Sequence, residues 1–372
     1  MPLSKIQTSE MLDTPNLGRR NLIINGDMKV QQRYTAGTAT QVVNGTVSGP
    51  DRFKFFVGGG GAYTVTQDSG HQAATGHDKA IKVAVTTADT SIAATDIYSF
   101  THRIESNSVQ HFQYGTSSAK TVTLSFWVRA TKTGTQALHF AKQGTGTDYR
   151  HVKEYTISAS NTWEHKTITL SGLTASTMVN DASTYFQVGW MLKYGSSYQG
   201  TKDVWTTSAH YTTAAAVNNM DSTSNTFYIT GVQLEVGDTA TDFEHRSFAE
   251  ELQLCLRYFC KSADYSIVPT HNTDENSICV LVDMASNLMR SEKIFFPVKM
   301  RAAPTVTQLK GGVGFGSSNG QWAWYQSGAW TYYAFNSGNL NESGFCAHGG
   351  VAGAGDGNAY WTHIAWKAES EL

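Results

Sequence analysis

The residues best suited to chemistry in this chain are aromatic. In QWAWYQSGAWTYYAF, Trp322, Trp324, Tyr325, Trp330, Tyr332, Tyr333 and Phe335 crowd around a Ser-Gly pair, with Asn336, Asn339 and Asn341 just beyond. Indole and phenol faces stack on the apolar faces of pyranose rings, while side-chain amides and hydroxyls read the equatorial hydroxyls, so this is a sugar-binding composition. A second segment, YGSSYQGTKDVWTTSAHY, repeats it, with Tyr194, Tyr198, Trp205 and Tyr211 among polar residues. The competing reading is packing. QWAWY and WTYYAF also read as hairpin strands whose alternate rings fill a core, and the second segment also reads as an Ω-like loop folded over its own rings. Alternation leaves about half of the hairpin rings outside a core. Trp322, Trp324, Tyr325, Trp330 and Tyr332 are the preferred ligand-binding candidates, with Tyr198 and Trp205 from the second segment.

Catalytic patterns are missing by comparison. Glycan hydrolysis needs two carboxyl groups a few ångströms apart, and Glu154, Glu164, Glu235 and Glu244 qualify only by type, because acidic residues are scattered singly among Lys and Thr. The GxSxG string GSSNG at 316–320 lies in GVGFGSSNG, which follows no βαβ context, no His pair spaced i, i+4 around a Glu occurs, and His245 in FEHR has the ordinary reading of a hydrogen-bonding or stacking residue before a helix. The expectation is a protein with no catalytic residue, no cofactor and no metal.

Charge and cysteine usage exclude other classes. The net charge of -2 and pI near 6.6 provide no positive field for nucleic acid. Nothing supplies roughly 18 consecutive apolar residues, so no membrane insertion is expected, and the N-terminus lacks a signal peptide's apolar run, which implies folding in a cytoplasm. The four cysteines, Cys255, Cys260, Cys279 and Cys346, are too irregular for a disulfide framework and read as buried thiols.

The elements that must position the rings are strands. Charged residues are only 16% of the chain, and Gly, Ser and Thr are abundant, which favours turn-rich β structure. In KTVTLSFWVRA, Val122, Leu124, Phe126 and Val128 share one face, predicted to meet the core. The same alternation marks Ile81, Val83 and Val85, then Ile168 and Leu170, and the inward positions of YFQVGWMLKY and TFYITGVQLEV. Strands spread over more than two hundred residues in this way suit a jelly roll. Gly58 to Gly61 and the polar tract from Tyr194 to Asn225 read as loops.

One helix is predicted. Ser247 and Glu250 are spaced for a capping box ahead of FAEELQLCLRYF, and Phe248, Leu252, Cys255 and Phe259 form its apolar stripe. The chain divides into a polar arm at 1–20, a sandwich at 21–246, a connecting helix at 247–258 and a smaller β-rich domain at 259–372.

Two stretches, NLIINGDMKVQQR at 21–33 and TGVQLEVGDTATDFEHRSFAEELQLCLRYF at 230–259, resemble the first and last strands of a module widespread in phage tail fibres and virion proteins. FFPVKMRAAPTVT at 295–307 and the terminal AWKAESEL resemble the C-terminal part of the same group. The resemblance implies a carbohydrate-binding-module-like jelly roll, then a helix and a β-rich head, on the particles of tailed phages, marine or cyanobacterial hosts included. Jelly rolls of this kind often hold a structural calcium through acidic residues at places that here read Met28 and Lys29, and Thr230 and Gly231 before Val232. A lysine and a glycine there argue against a retained calcium site, since that ion wants several oxygen ligands.

The expected molecule is therefore all-β, a jelly-roll sandwich with a helix and a smaller β-rich domain. Its expected role is a virion adhesin, a tail fibre or tail-tip protein. The arm at 1–20 would dock on other virion structural proteins, the distal rings would hold host surface polysaccharide, and homotrimerisation would multiply weak sites. The alternatives are a purely structural head fibre, collar or capsid decoration protein, and a glycan depolymerase.

Overall fold

Alternation of apolar and polar residues along KTVTLSFWVRA decides which face of its sheet is dry, and the structure, a computed structural model describing residues 19–268, 277–285, 288–309, 321–326, 329–350 and 359–372, follows it. Val122, Leu124, Phe126 and Val128 all lie fully buried in the largest core. Ile81, Val83, Val85, Ile168 and Leu170 join them there.

The sandwich is built from β1 (Thr40–Gln41), β2 (Phe53–Gly58), β3 (Ala62–Asp68), β4 (Ala80–Thr87), β5 (Ile97–Glu105), β6 (Val122–Ala130), β7 (Gly134–Gln143), β8 (Tyr149–Ile157), β9 (Glu164–Leu170), β10 (Tyr185–Tyr194), β11 (Trp205–Thr206) and β12 (Thr226–Val236). They form two six-stranded antiparallel sheets, ordered β1-β3-β4-β12-β6-β9 and β11-β8-β7-β10-β5-β2. Strands distant in sequence are neighbours within each sheet, as in a jelly roll. The centre of the core is Trp190 of β10. It is fully buried, stacked on Phe100 at 5.4 Å, with Phe126 edge-on at 5.7 Å.

Two short helices interrupt the strands, α1 (Gln72–Thr75) and α2 (Phe248–Leu256). The capping box of α2 is formed. Ser247 Oγ accepts from the Glu250 amide at 3.2 Å, and the Glu250 carboxylate accepts from the Ser247 amide at 3.0 Å. Ser247→Ala should cost about 1 kcal/mol of stability, read as a lowered urea midpoint with an unchanged slope.

The apolar stripe predicted for this helix is not its buried face. Cys255 is buried, but Phe248 is 44% exposed, Leu252 is half-buried, and Phe259 already belongs to the next strand. The helix instead buries Glu251, whose carboxylate accepts from the Asn25 amide at 2.6 Å and pairs with Arg246 at 3.3 Å. A short helix lying across the polar turn of the N-terminal segment meets amides there, so an acid serves the interface better than a leucine.

After α2 come β13 (Phe259–Lys261), β14 (Ser277–Ala285), β15 (Leu288–Phe295), β16 (Thr305–Leu309), β17 (Gln321–Gln326), β18 (Ala329–Ala334), β19 (Asn336–Asn341), β20 (Gly344–Gly350) and β21 (Ala359–Glu369). They form one antiparallel sheet in the order β18-β17-β21-β14-β15-β20-β19, with β13 and β16 also paired to β21. Its own core includes Phe296, Phe345 and Trp366. Ile278 and Val280 pack toward that core, so Cys279 between them is exposed; Cys346 is half-buried, and only Cys255 and Cys260 match the expectation of buried thiols. All four are free.

The third sheet meets the sandwich through charge. Asp51, 1% exposed, accepts from Arg33 at 2.9 Å and from the Gln32 side chain at 2.7 Å, while Arg33 also donates to Glu369 and Glu371 at 3.0 Å each. Arg52 pairs with Glu371, and its guanidinium lies 3.3 Å over the Tyr258 ring. Glu105 at the end of β5 accepts twice from Arg257 at 2.8 Å and from the Tyr258 hydroxyl at 2.5 Å. Each buried charge here has a counter-charge, the condition under which burial is tolerated. Among the described residues no helix is long and apolar enough to cross a membrane.

Candidate functional site

The site grows from the outward positions of β10. Phe186, Val188 and Trp190 point into the core, so Tyr185 and Gln187 must point to the opposite face of the second sheet, where Tyr185 is half-buried and Gln187 is covered to 4% exposure. Register then selects their neighbours: Gln187 lies opposite Arg103 on β5 and Ala141 on β7.

The segment after β10 does not leave this face. It turns at Gly195 and folds back, with the Tyr211 amide donating to the Tyr198 carbonyl at 2.9 Å and Lys193 donating to the Ala216 carbonyl at 2.8 Å. Tyr194, Tyr198 and Tyr211 pack as a ring cluster with centroids 5.3 to 5.9 Å apart. The cluster covers part of the sheet and leaves an open groove of about 230 Å³ lined by Phe56, Thr101, Arg103, Gln143, Tyr185, Gln187 and the three tyrosines, with Ile97 at one side.

A relay of polar groups sets the groove floor. Arg103 Nε donates to Gln187 Oε1 at 2.8 Å, which fixes the amide so that its NH₂ faces His139 Nε2 at 2.7 Å. That contact requires His139 to accept at Nε2, so the ring is neutral with its proton on Nδ1. Burial holds the His139 pKa down to about 3, with Arg150 and Arg103 adding to it. A side chain on Gly189 would sit 2.3 Å from His139 Cε1, so β10 needs glycine there for the imidazole to lie across it.

The rings are braced as well. The Arg103 guanidinium stacks 4.6 Å over Tyr185, whose hydroxyl donates to Gln143 at 3.3 Å, and Arg150 donates to the Tyr211 hydroxyl at 2.8 Å. Tyr211 meets His139 edge-on at 4.9 Å. The half-buried rings of Phe56, Tyr185, Tyr198 and Tyr211 flank amide and guanidinium donors. This arrangement offers flat apolar faces and directional hydrogen bonds to one ligand. Among the described residues no Asp or Glu lines the groove.

Of the residues singled out from sequence, Tyr198 lines this groove. Trp205 does not: it sits on the edge strand β11, half-buried against the main core, edge-on to His151 at 5.2 Å, with its indole donating to the Ser171 carbonyl at 2.9 Å. Trp322, Trp324 and Tyr325 fall on β17, and Trp330 and Tyr332 on β18. The two strands pair with Trp322 opposite Tyr333 and Tyr325 opposite Trp330. The side chains of Trp322, Trp324, Tyr325, Trp330 and Tyr332 lie outside the described residues. Arg103, Gln187, Tyr185 and Phe56 were missed, although alternation in YFQVGWMLKY already turned Tyr185 and Gln187 outward.

No family model and no curated protein matches the chain. Among solved structures it is similar to a family 4 carbohydrate-binding module at 14% identity and TM-score 0.29, over 58% of this chain and 99% of that one. It is similar to the family 11 carbohydrate-binding module of a cellulosomal cellulase from Clostridium thermocellum at 13% identity and TM-score 0.28, over 57% and 100%. The enzymatically active domain of tailspike protein 4 from bacteriophage CBA120 is similar at 12% identity and TM-score 0.28, over 58% of this chain and 21% of that one. At such scores these likenesses carry no functional argument. What the chain's own strands and groove define is an all-β, jelly-roll sandwich with an open polar and aromatic cleft on one sheet.

Proposed function

We propose that this chain binds glycan without cleaving it and serves as a virion adhesin, a tail fibre or tail-tip protein of a tailed phage that holds host surface polysaccharide. The observation that carries the glycan reading is the groove, in which Tyr185, Tyr198, Tyr211 and Phe56 surround the Arg103–Gln187 pair. Sugar rings need both an apolar stacking face and donors in the plane of their hydroxyls. The side chains described in the lining are aromatic, amide, hydroxyl, guanidinium and aliphatic groups, a set suited to holding a sugar, whereas glycosidases use a carboxyl pair flanking the scissile bond. The adhesin part rests on the resemblance of 21–33 and 230–259 to virion modules. In that reading the arm at 1–20 docks on the particle, and three copies turn weak sites into firm attachment.

The experiment is affinity electrophoresis of the intact protein through gels containing host envelope polysaccharides. Retardation by one polysaccharide is expected, with no release of reducing ends. Variants at Trp322, Trp324 and Trp330 separate the β17–β18 hairpin from the groove as the contact: retardation kept in these variants and lost in groove variants is the expected pattern. Unretarded migration in every polysaccharide would remove the glycan reading, and release of reducing ends would turn it into a depolymerase. Labelling of particles with antibody against the chain tests the virion placement, with signal at the tail expected.

A further inference from the structure

Asp27, His77 and His245 come from three separate segments: the turn that opens the sandwich, the connection between α1 and β4, and the stretch between β12 and α2. One ligand atom from each lies within 4.8 Å of the other two. Asp27 is 8% and His77 5% exposed, whereas His245 is solvent-exposed. All three help line an open cavity of about 380 Å³. Two atoms there, Asp27 Oδ1 and His77 Nδ1, have no hydrogen-bond partner among the described residues. Buried polar atoms left without partners are rare and costly, so a pair of them at one cavity points to a group that satisfies both.

The surroundings hold the rings rather than hydrogen-bonding them. The His77 and His245 rings stack with centroids 5.4 Å apart and planes tilted by 30°, and the Phe243 ring stands edge-to-face with them at 4.6 and 4.9 Å. Gly231, at φ +60°, lets the β12 backbone pass close by, since a Cβ there would fall 2.6 Å from His77 Nε2.

We propose that Asp27, His77 and His245 form a binding site for a borderline divalent cation of the zinc and cobalt type. Two imidazoles and one carboxylate, with water completing a tetrahedron, suit such an ion, while calcium asks for roughly six to eight oxygens and is excluded by the donor set. Lys29 tunes the site. Its ammonium lies 2.7 Å from Asp27 Oδ2 and donates to the Arg246 carbonyl at 2.7 Å, so it engages one carboxylate oxygen, leaves Oδ1, and weakens the attraction for a dication. A bound ion would tie the opening turn, the α1–β4 connection and the approach to α2 into one joint.

The test is titration of chelator-stripped full chain with Co²⁺, read by its visible ligand-field absorption. One saturable site is expected, displaced by Zn²⁺ and indifferent to excess Ca²⁺. His245→Ala trims an exposed side chain and should abolish the band in a protein with unchanged circular dichroism. Lys29→Met removes the competing charge and should tighten binding roughly tenfold. Zn²⁺ should raise the melting temperature of the parent and leave that of His245→Ala unmoved. Absence of a saturable band in folded parent protein, binding that persists in His245→Ala, or no tightening in Lys29→Met would each overturn the site.

Discussion

Tyr198→Ala should weaken polysaccharide binding about tenfold or more, because it deletes a stacking face worth on the order of 1–2 kcal/mol and leaves the strands below untouched. Tyr198 is half-buried on the returning segment after β10, touches Tyr194 and Tyr211, and lines the groove. Gln187→Leu should cost more. The leucine keeps the bulk but strands Arg103 Nε and His139 Nε2 and presents no amide to the ligand, and sites built around hydrogen bonds lose heavily when a partner goes missing. Trp205→Ala is the contrasting case. Its indole packs on the core and is bonded to the Ser171 carbonyl, so the melting temperature should fall while affinity per folded molecule holds. Isothermal titration with the retarding polysaccharide, alongside thermal melts, separates the outcomes. Equal affinity in parent, Tyr198→Ala and Gln187→Leu would remove the groove as the binding site.

What was legible beforehand depended on the range over which residues act. The inward face of β6 follows from alternation over eleven residues, and the α2 cap follows from Ser247 and Glu250 three apart; both signals are local, and both elements form. The groove is not local. Phe56, Arg103, Gln143, Gln187 and Tyr211 arrive from β2, β5, β7, β10 and a loop, and only the pairing of Gln187 with Arg103 puts them together. An outward glutamine on a strand has no special signature until its cross-strand neighbour is known. Periodicity misled at α2, where Phe248, Leu252, Cys255 and Phe259 read as one stripe. The chain leaves the helix after Leu256, and Glu251 takes the buried position because the surface beneath it offers the Asn25 amide and Arg246. Apolar spacing cannot report a polar docking surface.

Acid should unfold this protein well above the carboxylate range, because several histidines are buried as neutral rings. His139 and His151 are 0% and 1% exposed, and burial holds their pKa values down to about 3 and about 4. His102, also fully buried, is pushed well below its ordinary value by burial and by Arg52. The sign follows directly. Above the unfolded value near 6.5 neither state carries the protons and stability is complete; as pH falls below it the unfolded chain takes protons that the native rings refuse. Each ring then costs roughly 1.4 kcal/mol per pH unit, and the three together about 4 kcal/mol per unit, until the folded values are reached. Asp51 and Glu251, raised by burial, oppose this, since their native carboxyls take protons before the unfolded ones do. Urea midpoints between pH 7.5 and 5 should therefore fall steeply, and His151→Gln should flatten the slope by about one proton. A flat profile over that range would contradict the neutral assignments. The groove is built on the same refusal: a proton on His139 would make Nε2 a donor facing the Gln187 amide, and two donors cannot bond, so the Gln187 contact itself favours the neutral ring. Because the folded ring stays neutral down to about pH 3, glycan affinity per folded molecule should hold steady as pH falls toward the acid transition, and only the folded fraction should decline.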